Sequence, residues 1–170
     1  MSGWVNEPLS GREDACKFAQ TYLIPYLKVA KDCTKSSSSD CDYERKNLRN
    51  DTIGDSTWCS YYLADGSYFA LVPSGDYLLN VIIDANGHKK PNVLGYDILK
   101  YRIGTKVDAA NKGLLDIQWT GFGSNSACDT GGNGADCSAL IMKNGWKIPT
   151  EDDYVRLGGD KEKYPYKSLY

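Results

Sequence analysis

An α+β fold, a small antiparallel sheet beside an N-terminal helix, is what this sequence predicts, and three observations carry it. Apolar side chains recur at helical spacing near the start, at Ala15, Phe18, Tyr22, Tyr26 and Val29. The middle of the chain is a series of β-branched and aromatic runs separated by Asp65-Gly66, Ser74-Gly75 and Asn86-Gly87, dipeptides that turn a chain back on itself. Six cysteines, at positions 16, 33, 41, 59, 128 and 137, include no CxxC pair and read as disulfides in an oxidising compartment.

In chain order, Ser10 and Glu13 stand as N-cap and N3 of the first helix. Pro25 removes a donor in its middle, so the helix kinks there or restarts with Pro25 in a first turn, and it is expected to end near Asp32. A helix of that length holds Cys16 and Cys33 about 25 Å apart, beyond the reach of a disulfide. Residues 33–57 are polar, with serines from Ser36 to Ser39, and are expected as an elaborated loop. Short tethers favour Cys33 with Cys41 or Cys59, leaving Cys16 the remainder. Cys128 with Cys137 is the expected pair around the flexible Gly131, Gly132 and Gly134.

Strands are predicted over Trp58–Leu63, Ser67–Val72, Tyr77–Ile83 and Ile98–Ile103, with a further one at Leu114–Trp119. Ser138 to Lys143 reads as a short helix ended by Asn144-Gly145, with Trp146 and Ile148 returning to the core. Residues 154–170 are expected as a loose tail on a single globular domain, 1–170.

Composition narrows the function. Twenty basic against 22 acidic residues, with a pI near 5.4, give no excess to attract nucleic acid. The longest apolar run, Tyr77 to Ile83, is too short to cross a membrane, and the opening residues carry no signal-peptide pattern. His88, the single histidine, sits in a turn between Gly87 and Lys89, poor material for a catalytic triad. Gly54-Asp55-Ser56 is similar to the start of a GDSL-type esterase, but no Asp-x-x-His follows it, and no catalytic residue is assigned. Asp84, Asn86, Asn92 and Asp97 supply hard oxygens suited to calcium, and Asp129, Asn133 and Asp136 form a second candidate. The reading favoured over calcium for the first set is that Asp84 and Asn86 cap a hairpin turn while Asn92 and Asp97 satisfy local backbone donors. Trp58, Trp119 and Trp146 are expected in the core, and the Tyr164, Tyr166 and Tyr170 tail is the best place for a sugar-stacking platform.

Three stretches resemble the soluble heads of bacterial proteins with a prepilin-type cleavage and methylation helix, the type IV pilin and type II secretion pseudopilin class. They are Tyr22-Leu23-Ile24-Pro25-Tyr26-Leu27-Lys28 followed by Cys33, the run from Asp84 to Asp97, and Cys137 to Pro149. The second is similar to a D-x-N-G-x-K-x-P-N-x-x-G-x-D signature of such heads. The resemblance implies a structural subunit of an extracellular pilus or secretion pseudopilus and not an enzyme. It also implies a long N-terminal helix, missing here, that anchors the protein in the inner membrane before assembly and then joins it to other pilin subunits. In major secretion pseudopilins a bound calcium orders a C-terminal loop, which adds weight to calcium here. The alternatives are a secreted calcium-dependent or glycan-binding module and, after it, a small secreted hydrolase.

Overall fold

The computed structural model describes residues 9–34, 41, 43–53, 59–104, 115–116, 124–125 and 127–169. The fold is α+β, as the sequence predicts, with an N-terminal helix, an antiparallel meander and three disulfides. Where one core is expected, the chain divides into two compact units, each discontinuous in sequence.

The first unit comprises residues 1–43, 55–89 and 101–116. Helix α1 spans Arg12–Tyr22 and presents Ala15, Phe18 and Ala19 to the core. Its N-cap is Gly11, whose backbone is extended, and Ser10 hydrogen-bonds Asp14 instead of capping. The helix stops well short of Asp32. Pro25 disfavours helical backbone in the residue before it, and Ile24–Tyr26 form a single 3-10 turn with Pro25 at its start. Val29–Asp32 then becomes β1, an edge strand, because its backbone finds partners on β4 (Cys59–Leu63). Val29 fits the helical spacing of the preceding residues, and that coincidence explains the overlong expectation.

The meander follows the predicted order. β4 pairs antiparallel with β5 (Tyr68–Pro73), and β5 with β6 (Leu78–Asp84), in a register that sets Tyr61 opposite Phe69 and Leu71 opposite Val81. Side chains alternate along strands, so Cys59, Tyr61, Phe69, Leu71 and Leu79 join one buried cluster with Leu9, Ala15, Phe18 and Ala19 of the helical segment. Tyr61 stacks on Phe69 with ring centroids 5.0 Å apart. Cys16–Cys59 ties α1 to β4, and Cys33–Cys41 closes the loop after β1. The sheet continues through β7 (Ile98–Gly104), beside β6, to β8 (Leu115–Asp116). Trp58 and Trp119 lie outside the described residues.

The second unit comprises residues 44–54, 90–100 and 117–170. Part of the expected elaborated loop is regular: β2 (Arg45–Lys46) and β3 (Thr52–Ile53) form a small antiparallel ribbon. Helix α2 spans Cys137–Lys143 and α3 spans Glu151–Arg156, the latter started by a Thr150–Asp153 capping box. Cys128–Cys137 pairs as expected and is buried with Leu140, Tyr154, Tyr164 and Tyr166. The expectation of a loose tail after residue 154 is therefore overturned through Tyr166. Three tyrosines supply enough apolar ring area to root that segment in a core. Trp146 and Ile148, expected in the core, are exposed at 60% and 39%. The turn that ends α2 sends them outward, Trp146 adopting φ +65°.

Candidate functional site

The D-x-N-G-x-K-x-P-N-x-x-G-x-D stretch falls partly in each unit, Asp84 and Asn86 in the first, Asn92 and Asp97 in the second. Each half has a clear local job.

Asp84 ends β6 and is fully buried. A lone buried carboxylate is costly, and this one is met by three donors. Its Oδ1 accepts the N–H groups of Asn86, at 3.1 Å, and Gly87, at 2.9 Å, while Oδ2 accepts the hydroxyl of Tyr43. Gly87 has φ +62°, and a Cβ there would lie 2.5 Å from the Gly66 carbonyl oxygen, so the turn admits only glycine. Asn86 Oδ1 is buried without a hydrogen-bond partner among the described residues. His88 lies exposed at the end of this turn, with its ring 4.7 Å from that of Tyr43 and 5.0 Å from that of Tyr62. Tyr43 was hidden to sequence reading because it sits in a polar loop with no periodic neighbours. The esterase-like Gly54-Asp55-Ser56 stretch lies outside the described residues.

In the second unit, Asp97 Oδ2 accepts from the Asn92 N–H at 2.9 Å and Oδ1 from the Val93 N–H at 2.8 Å. This fixes Asn92, at φ +52°, so that its carbonyl accepts from Lys46 and the next residues run beside β2. Gly95, at φ +99°, lies against the disulfide, where a Cβ would come 2.6 Å from Cys137 Sγ. The signature thus spends its Asn, Gly and second Asp on one backbone path against β2 and Cys137.

Within the Cys128–Cys137 loop, Asp129 and Asp136 are buried. Asp129 Oδ1 accepts from Gly131 N–H and Asn133 Oδ1 from Ala135 N–H, short bonds that shape the loop. Among the described residues no group of three or more His, Cys, Asp or Glu side chains is arranged to hold a metal ion. Tyr164 and Tyr166 are buried, the first donating to the Pro149 carbonyl at 2.8 Å, so they offer no face to a sugar. Tyr170 lies outside the described residues.

No described helix is long and apolar enough to cross a membrane. No family model, curated protein or solved structure matches this chain.

Proposed function

We propose that this chain is the extracytoplasmic head of a pilin-like filament subunit, an assembly protein and not an enzyme. The observation that carries the reading is α1 laid on one face of an antiparallel meander and stapled to it through Cys16–Cys59. A helix bound both covalently and by a continuous apolar seam can pass force from an upstream filament-forming segment into the head without peeling away. The turn motif at Asp84 to Asp97 adds to the case, since its residues hold a backbone path and present no reactive group. The test is to shear surface filaments from cells that make the whole protein and probe the pelleted fibres with antibody to this head. The head is expected in the fibre fraction. Recovery only as unassembled protein in the supernatant would sink the reading.

One observation favours a second property of the same head. The buried Oδ1 of Asn86, which has no hydrogen-bond partner among the described residues, is the kind of oxygen that a calcium ion satisfies. Calcium held there raises the thermal midpoint of the oxidised protein over that measured in chelator, and Asn86→Ala abolishes the difference. An equal midpoint in both solutions removes calcium from the account.

A further inference from the structure

Asn50-Asp51-Thr52 is the one place where this sequence carries an asparagine followed two residues later by serine or threonine, with no proline between them. Such a triplet is the acceptor for an N-linked glycan when an exported protein displays it on a surface loop. The triplet alone recurs by chance in many sequences. What separates chance from use is the surface on which it sits.

All three residues are exposed, where the connection between β2 and β3 runs into β3. The turn is closed by the Asn47 N–H on the Asp51 carbonyl and the Asn50 N–H on the Asn47 carbonyl, each at 3.0 Å. Asn47 braces it from within. Its Oδ1 accepts the N–H groups of Arg49 and Asp51, each at 2.9 Å, and its Nδ2 donates to Asp51 Oδ2 at 2.9 Å. Arg49 Nε lies 3.2 Å from the same oxygen, so the carboxylate between Asn50 and Thr52 is held by Asn47 and partly neutralised by Arg49. Asn50 takes φ +67°, a left-handed conformation that asparagine tolerates better than most residues. Its side-chain amide and the Thr52 hydroxyl make no hydrogen bond among the described residues. The two asparagines of this turn thus have opposite fates: the fold consumes the amide of Asn47 and leaves that of Asn50 in water.

We propose that Asn50 is an N-glycosylation site, with a lipid-diphosphate-linked oligosaccharide as the donor. In the transfer, Asn50 Nδ2 bonds to the anomeric carbon of the first sugar as the bond from that carbon to the diphosphate oxygen breaks. The amide proton passes to a base of the transferase, and the lipid diphosphate leaves with the electron pair. The Thr52 hydroxyl, two residues on, is the group by which the transferase recognises the acceptor. Such transfer takes place outside the cytoplasm, the side on which three disulfides form and persist. The folded chain accepts the product without rearrangement, because a sugar on an exposed amide displaces only water. The inference requires export but does not depend on the filament reading.

Peptide mass spectrometry on the whole protein, isolated from the cells that make it, tests this. Fragmentation of the peptide that carries Asn50 is expected to place a glycan on that residue. Asn50→Asp, which keeps the tolerance for a left-handed backbone, and Thr52→Ala should each abolish the modification, whereas Thr52→Ser, which restores the hydroxyl, should retain it. Export of each variant with its three disulfides formed shows that the fold is kept. The proposal is overturned by an unmodified Asn50 in the exported, disulfide-bonded protein, by a glycan that survives Asn50→Asp, or by equal modification of Thr52→Ala and Thr52→Ser. Recovery of the head in sheared fibres is read separately, so the filament proposal and this one can fail independently.

Discussion

Asp84 shows how a single residue can look like a ligand and act as a brace. Its three donors come from Tyr43, Asn86 and Gly87, so removing the carboxylate leaves buried polar groups unmatched. Asp84→Ala is expected to cost about 2 to 4 kcal/mol in urea unfolding, and Tyr43→Phe about 1 to 3 kcal/mol, since a charged acceptor then loses one donor. A cost near zero for both would show that the turn is not held this way. Asp153 behaves differently because it is at the surface. Hydrogen bonds from Arg156, then Thr150, hold its carboxyl down at about 2, below the ordinary value of 3.8. A depressed folded value means that its contribution is present above the unfolded value and fades as pH falls from about 4 through about 2. Asp153→Asn should therefore reduce the slope of stability against pH in that window and leave neutral pH behaviour otherwise set by the loss of the cap. The sequence made Asp84 legible as a turn residue through Asn86-Gly87. It could not reveal Tyr43, whose partner lies 41 residues away.

Among elements, strands were easiest to read and helix ends hardest. β4, β5 and β6 are short runs rich in β-branched and aromatic residues separated by turn dipeptides, so local chemistry alone makes them legible. The end of α1 depends on a long-range event, the pairing of Val29–Asp32 with β4, which spacing cannot see. The buried tyrosines after α3 were illegible for a related reason: a tyrosine-rich polar segment reads as exposed until a core is available to receive it. Disulfides set the stability of these elements unequally. Cys16–Cys59 encloses a separation of 43 residues, against 8 for Cys33–Cys41 and 9 for Cys128–Cys137. Loop-closure entropy then gives about 4 kcal/mol for the first and about 2.5 kcal/mol for each of the others. Paired Cys→Ala variants compared by denaturant unfolding should follow that order, and a larger loss from Cys33–Cys41 would contradict it. Gly11 offers the opposite change. Its extended φ of −142° and open surroundings accept a side chain, so Gly11→Asp should stabilise α1 by about a few tenths of a kcal/mol.

At the scale of the molecule, the chain passes between its two units repeatedly, so neither is a contiguous stretch that could be excised whole. Cutting after residue 116 would remove Cys128, α2 and α3 and leave Leu48 and Tyr96 without the cluster they pack against. Each unit also holds a buried phenol whose ionisation the fold opposes. Burial, with help from the Asp32 charge, pushes Tyr61 up to about 12. Burial and then the charges of Asp129 and Asp160 raise Tyr154 as well. A folded value above the unfolded one means that the neutral phenol favours the fold. That contribution is complete below about 10, the ordinary tyrosine value, and for Tyr61 is lost as pH rises through about 12. Both units should therefore lose stability on the alkaline side, each through its own tyrosine. Tyr61 and Tyr154 should contribute tyrosinate absorbance only at high pH or on unfolding. Tyr61→Phe should flatten the alkaline stability slope of the first unit, read by hydrogen exchange at β4 and β5, and leave α2 and α3 unchanged. A matching change in α2 and α3 would mean that the two cores unfold as one cooperative body, and their separation in the folded chain would then carry no energetic independence.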